Sequence, residues 1–162
     1  MNYYDEIAQG YEELHKEEQE NKIEIIKLHL SINPGDKLLD VGCGTGLTTE
    51  PWGCSRYGID PSKGLLERAR QRDKIEYKLA PAENIPYPDD FFDIVVSVTA
   101  IQNFDDVEKG LNEIKRVCKN KVVLSFLKRS PKNEIISSMI KELFKIEKVI
   151  EEEKDLIFFG NV

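Results

Sequence analysis

The sequence predicts an α/β fold, a doubly wound and mostly parallel sheet that ends in an antiparallel hairpin. Three observations carry that prediction. Apolar runs of strand length alternate with stretches of helical period, the pattern of a parallel sheet covered on both faces. A glycine-rich turn, GCGTG, follows directly on the apolar run KLLDV, where open α/β sheets receive their ligands. The last two runs, KIEKVIEE and KDLIFFG, lie too close together for a helical crossover of about a dozen residues, so they should pair antiparallel.

Residues 5–30 read as helical, with Ile7, Tyr11 and Leu14 on one face and Ile23, Ile26 and Leu30 on the next stretch. The very polar HKEEQENK between them marks a break or a solvated turn. Asn33-Pro34-Gly35-Asp36 is a turn signal. KLLDVG is a short apolar run bounded by turns and reads as a buried strand. A helix of modest length is expected from about Leu47. RYGID (56–60) is the second strand. Pro61-Ser62 opens a helix with Ser62 as N-cap and Leu65, Leu66 and Ala69 facing inward. IEYKLA (75–80) alternates as a third strand. The loop PAENIPYPDD leads to FDIVVSVTA (92–100), the most strand-like run in the chain. Residues 105–118 form an amphipathic helix with Val107, Leu111, Ile114, Val117 and Cys118 on one stripe. KVVLSFL (121–127) is a fifth strand, residues 133–144 are helical, and the hairpin closes the fold.

The 162 residues suit one domain, 1–162, with an N-terminal helical lid over 1–30 and the sheet core over 36–162. A domain of this size buries roughly 70% of its unfolded surface and needs no staples. The net charge of −7 argues against autonomous nucleic-acid binding through a broad basic surface. No apolar run is long enough for a membrane span, and the acidic N-terminus lacks the apolar core of a signal peptide. Cys43, Cys54 and Cys118 are odd in number and form no CxxC pair, so neither a disulfide framework nor a zinc or other metal site is expected. A reducing cytoplasm fits best.

The spacing of the glycine turn narrows its ligand. A phosphate loop needs GxxxxGK[ST], and no lysine follows here. A dinucleotide fingerprint needs GxGxxG. Gly42 and Gly44 fit it, but the third position is Leu47 and the third glycine comes one residue early, at Gly46. Asp40, two residues before Gly42, is expected at the strand end, where an ammonium or sulfonium suits it better than a pyrophosphate. Asp60 closes the second strand, where an acid accepts from ribose hydroxyls. The bland alternative is that Asp60 caps the helix opened at Pro61. Together the two acids fit an adenosine ligand with a cationic tail.

On these motifs the chain resembles the class I S-adenosylmethionine-dependent methyltransferases, within them the type 11 group that includes the quinone-biosynthesis C-methyltransferases. The resemblance spans roughly residues 3–127. LLDVGCGTG is similar to the family's first motif, GIDPSKGLLERAR to its second strand and following helix, APAENIPYPDDFFDIVVS to the segment leading into its fourth strand, and YYDEIAQGY to its N-terminal segment. The resemblance implies the strand order 3-2-1-4-5-7-6 with strand 7 antiparallel. It implies that Asp40, Gly42, Cys43, Gly44 and Gly46 hold the methionine part of the cofactor, Cys43 through its backbone. Asp60 would take the ribose hydroxyls and Pro61 would lie near the adenine. Ala82 would offer its N–H to the adenine ring with Glu83 nearby, Thr99 and Ala100 would flank the methionine, and Tyr11 would help cover the site.

Three departures stand out. The stretch LTTEPWGCSRYGI is shorter than in the family, so the first crossover helix should be about a turn short, ended by Pro51 and Gly53. Pro81 stands where the family often has Asp or Asn, so the contact to the adenine amino group is lost or passes to Glu83. No cap domain is inserted for substrate recognition. Methyl transfer is an in-line displacement that needs alignment and no covalent nucleophile, and a general base is optional. No catalytic residue is assigned on this basis. Gln102 and Asn103 either orient an amide or nucleobase edge of the acceptor or cap the next helix. His15 and His29 read as structural. Lys128-Arg129-Ser130 is a local basic spot that meets a phosphate or solvates a loop.

A bare domain of this kind takes a small molecule or borrows recognition from a partner. Some methyltransferases of RNA and translation factors use a small zinc-binding activator that adds a strand to the sheet edge. TAIQNF loosely resembles one such group, and the third strand would be the edge that pairs. Three readings follow. The first is a methyltransferase with an unidentified acceptor. The second is a nicotinamide-dependent oxidoreductase, disfavoured by the missing third glycine. The third is a non-catalytic binding or scaffold protein of the same fold.

Overall fold

The computed structural model describes the backbone of residues 3–72 and 74–162, and side chains from Glu12 onward except Asp73. Helix α1 (Tyr3–His29) leads into strand β1 (Lys37–Val41). Strand β2 (Ser55–Asp60), helix α2 (Lys63–Ala69), strand β3 (Ile75–Leu79) and strand β4 (Phe92–Ser97) follow. A 3-10 turn (Ile101–Asn103) precedes helix α3 (Val107–Val117), strand β5 (Cys118–Leu127) and helix α4 (Asn133–Leu143). Strands β6 (Lys145–Glu151) and β7 (Asp155–Asn161) close the fold.

Among the described residues the sheet has seven strands in the order β3-β2-β1-β4-β5-β7-β6. β7 runs antiparallel to both β5 and β6, and the other pairs are parallel. This is the predicted class I methyltransferase topology. The strand period of two sorts the core into two faces. Leu39, Val95, Val122, Leu124 and Phe158 point to the face covered by Leu111 and Ile114 of α3 and Ile136 and Ile140 of α4. Leu38, Ile94, Val96, Val123, Ile157 and Phe159 point the other way, against Ile23 and Ile26 of α1 and against Trp52.

Four expectations need correction. α1 is continuous through HKEEQENK. That stretch lacks Gly and Pro, and Glu, Lys and Gln are good helix formers, so its polarity marks a largely solvated face and not a break. The expected helix after Leu47 is absent, because residues 44–51 form successive turns. Gly46 O accepts from Thr49 N and Glu50 N at 3.1 and 3.0 Å, one turn that Pro51 then stops. Trp52 fills the space such a helix would cover, buried with its indole N–H donating to Thr48 O at 2.7 Å. Leu65 does not face inward: it is 39% exposed, whereas Leu66 and Ala69 are buried as expected. β4 stops at Ser97 and not near Ala100, because Thr99 turns to a φ of 55°.

Ser62 does cap α2, accepting from Leu65 N at 3.3 Å, and Asp106 caps α3 in the same way at 3.1 Å from Lys109 N.

Candidate functional site

A cleft of about 340 Å³ opens at the carboxyl ends of β1, β2 and β4. Gly42 and Gly44 form its floor, Asp60, Pro61 and Leu65 one wall, Pro81, Ala82 and Glu83 a second, and Thr99, Ala100, Asn103, Phe104 and Asp105 the rest. A larger cleft of about 740 Å³ lies between α1 and the turn at Leu47–Pro51, away from these motifs. The smaller one is the candidate site, because loops from separate strands converge there at the switch in strand order.

The turn is shaped by its glycines. Gly42 has φ +77°, and a Cβ there would stand 2.6 Å from the Ala100 Cβ, so the β1 and β4 loops approach closely only with glycine. Asp60 holds the turn from the far side. One oxygen accepts from Gly44 N at 2.9 Å and the other from Ser62 N at 2.8 Å, with the residue 7% exposed. Ser62, not Asp60, caps α2, so Asp60 is not the helix cap of the bland alternative; it accepts from the N–H of the cap residue while also standing in the cleft wall. Each carboxylate oxygen has a second lone pair open to a ligand hydroxyl.

Asp40 is fully buried and does not line the cleft. Its Oδ2 accepts from the Thr48 and Thr49 hydroxyls at 2.6 and 2.8 Å, which folds the short crossover back under the turn. Its Oδ1 has no hydrogen-bond partner among the described residues. Burial pushes the carboxyl up to about 6, against the two threonine hydroxyls and with a further push from Asp60. Cys43 is buried, and its thiol is pushed far above the usual range by burial first and then by Asp40 and Asp60, so it is no nucleophile at neutral pH. Gly46 stands outside the cleft with φ +89°, against the Tyr77 hydroxyl and the Arg72 side chain.

The loop walls are tied to the scaffold. Glu83 accepts from Asp106 N at 2.9 Å. Arg116 of α3 donates to Ile85 O and Tyr87 O, both at 2.9 Å, and pairs with Glu113 at 2.8 Å. Glu113 accepts from Ile85 N at 2.9 Å, and its carboxyl is held below its ordinary value chiefly by the bond to Arg116. Thr99 is β-branched yet has φ 55°, a conformation that costs about 1–3 kcal/mol and persists only where surroundings impose it.

Of the residues singled out in the sequence, Gly42, Gly44, Asp60, Pro61, Ala82, Glu83, Thr99, Ala100 and Asn103 meet in this cleft, and Asp40, Cys43, Gly46 and Gln102 do not. The Gln102 amide is spent on backbone, donating to Thr99 O at 3.0 Å and accepting from Leu127 N at 3.4 Å. The Tyr11 side chain lies outside the described residues. Lys128, in the basic spot, donates to Glu152 O at 2.9 Å and pairs with Glu151 at 3.3 Å, so its charge is largely answered within the chain. Leu65, which the sequence assigned to the core, lines the cleft instead, as do Phe104 and Asp105, which were not singled out for the site. Phe104-Asp105 directly follow Asn103 on the same loop, a continuity that the motif itself carried.

The methyltransferase domain family matches residues 39–126, more than half of the sequence, and this chain belongs to that family. S-adenosylmethionine is the cofactor that membership brings. Demethylmenaquinone methyltransferase of Symbiobacterium thermophilum is 33% identical over 136 residues, covering 72% of this chain and 53% of that protein. Malonyl-[acyl-carrier protein] O-methyltransferase of Serratia marcescens is 37% identical over 100 residues, covering 59% of this chain and 39% of that protein. The chain thus spans about half the length or less of these curated relatives. Among solved structures, a chain in the complex between the Haloferax volcanii Trm112 methyltransferase activator and the putative methyltransferase overlays with a TM-score of 0.77 at 17% identity, covering 95% of this chain and 94% of that one. A SAM dependent methyltransferase from Aquifex aeolicus overlays at 0.71 with 18% identity, covering 86% and 89%.

The residues present fit the cofactor. The cleft volume lies within the range of small-molecule sites. The turn admits backbone approach, Asp60 keeps acceptor capacity for two hydroxyls, and the lone Oδ1 of Asp40 leaves negative charge uncompensated behind the turn, which suits a cation in front of it.

Proposed function

We propose that this chain is an S-adenosylmethionine-dependent methyltransferase that forms one domain over 1–162, with residues 1–30 as a helical lid over a sheet core at 36–162. The observation that carries the reading is the convergence of Gly42, Gly44, Asp60, Ala82 and Thr99 on one cleft at the switch in strand order. The bound cofactor supplies an electrophilic methyl on a sulfonium. Gly42 and Gly44 lend backbone to its amino-acid end, with the Asp40 charge behind them, and Asp60 accepts from the ribose hydroxyls. Ala82 N–H meets the adenine. Glu83, already bonded to Asp106 N, and its neighbour Asp105 are the acids left to meet the adenine amino group in place of the residue that Pro81 lacks.

Alignment does much of the chemical work, since positioned reactants reach effective molarities of ~10⁵ M or more. Asn103 is the acceptor-facing amide, because Gln102 is spent on backbone. The acceptor is a small molecule, or an RNA or protein presented with a partner. The partner reading is supported by the likeness to the chain from the Trm112 complex and by β3, which among the described residues pairs only with β2 and leaves Leu79 54% exposed at the sheet edge. No described helix is long and apolar enough to cross a membrane, and the cytoplasm is the expected compartment.

Calorimetry with S-adenosylmethionine, S-adenosylhomocysteine and NAD tests the cofactor: the first two should bind and NAD should not. Transfer of a tritiated methyl into small-molecule, RNA and protein fractions of a lysate then identifies the acceptor class. Tight binding with no transfer into any fraction, with and without an activator subunit, would favour the non-catalytic alternative, which the missing crossover helix keeps in view.

A further inference from the structure

The least expected group in the core is Lys22. It sits on α1, is 1% exposed, and points into the sheet beside Asp155, which is 0% exposed at the start of β7. Its ammonium donates to Thr99 Oγ1 at 2.8 Å and to Gln19 Oε1 at 3.0 Å, and forms an ion pair with Asp155 Oδ1 at 3.1 Å, an oxygen with no hydrogen-bond donor of its own among the described residues. The network then closes on itself. Thr99 Oγ1 donates to Asp155 Oδ2 at 2.7 Å and Ser125 Oγ donates to the same oxygen at 2.8 Å. Thr99 N donates to Ser125 Oγ at 2.9 Å, and Gln102 Nε2 takes Thr99 O at 3.0 Å. Every polar atom of Thr99 is therefore held, and Thr99 is the cleft residue with the left-handed φ.

A buried ion pair is weak support for stability, since desolvation offsets most of its Coulombic gain. Its geometric effect is larger. It joins α1 to the loop after β4, to β5 and to β7 at one point, immediately under the wall of the cleft.

We propose that Lys22 and Asp155 are positioning residues that latch α1 onto the sheet and hold Thr99 in its left-handed conformation, so that the Thr99–Ala100 wall is set before ligand arrives. This rests on the methyltransferase reading of the cleft. It places the latch on residues outside the motifs: Lys22 falls in the most polar stretch of α1, and Asp155 is the first residue of the last strand.

The test pairs Lys22→Met with the double variant Lys22→Met/Asp155→Asn. The single variant leaves a carboxylate buried without its partner and should lose thermal stability. The double variant buries no charge and should recover most of it. Affinity for S-adenosylhomocysteine, read by calorimetry, should stay about tenfold weaker in both. Hydrogen exchange without ligand should show faster exchange at Thr99 and along the middle of α1 in the double variant, with β1 unchanged. Recovery of both affinity and protection in the double variant would make Lys22 merely structural and overturn the proposal. If the unmodified chain binds no S-adenosylhomocysteine, the reading of the cleft fails, while the exchange data still decide whether the latch exists.

Discussion

Asp40 is held by packing and, in the reading proposed above, also acts on the ligand through its charge. Its carboxyl is raised from 3.8 to about 6 by burial, so the folded chain binds this proton more tightly than the unfolded chain does. The stability it contributes is fully present below the unfolded value and is lost as pH rises through about 6. Urea titrations between pH 4 and 7 should show this decline, and Asp40→Asn should flatten it. A cation drawn to the cleft favours the ionised carboxylate. S-adenosylhomocysteine should therefore bind more tightly as pH rises through 6, and calorimetry in matched buffers would show no such trend if Asp40 were electrostatically idle. Trp52 is a second residue with a large single effect. Buried at 3% exposure and bonded to Thr48 O, it replaces a helix, and Trp52→Ala should cost about 3–5 kcal/mol in chemical denaturation.

At the scale of elements, the loop between β3 and β4 has little regular structure but is not free. Arg116 and Glu113 on α3 hold Ile85 and Tyr87 by backbone bonds, and so fix the direction in which Ala82 and Glu83 leave β3. Arg116→Met keeps most of the packing but removes the N–H donors. It should destabilise the protein by about 1–2 kcal/mol and speed exchange of amides 84–90, while those of β5 stay protected. The element that the sequence misled on was the first crossover. A helix was expected from Leu47, but both threonine hydroxyls turn to Asp40 and Pro51 stops the turn. That competition is tertiary, between a buried carboxylate and the backbone, and periodicity carries no trace of it. α1 misled in the opposite direction, because a polar run of helix formers looks like a break until one sees the buried partners of Gln19 and Lys22.

For the molecule as a whole, charge and edges decide what it meets. With a net charge of −7 and its one noted basic spot answered by Glu151, broad electrostatic attraction to nucleic acid is not expected. If the β3 edge takes a strand from an activator, the chain purified alone should be poorly soluble or bind cofactor weakly, and co-expression should restore both. A stable monomer with full cofactor affinity would remove the obligate partner. The doubly wound sheet, the hairpin and the position of the cleft were legible in the sequence, because strand period, crossover length and glycine spacing are local properties; the full strand order came from the resemblance of the motifs to the family. Strand identity and turn chemistry need only neighbours along the chain. Which polar groups are buried together depends on residues far apart in sequence, as Lys22, Thr99 and Asp155 are. Only the folded structure could reveal that an acid in the last hairpin and a lysine in the first helix frame the wall of the ligand cleft.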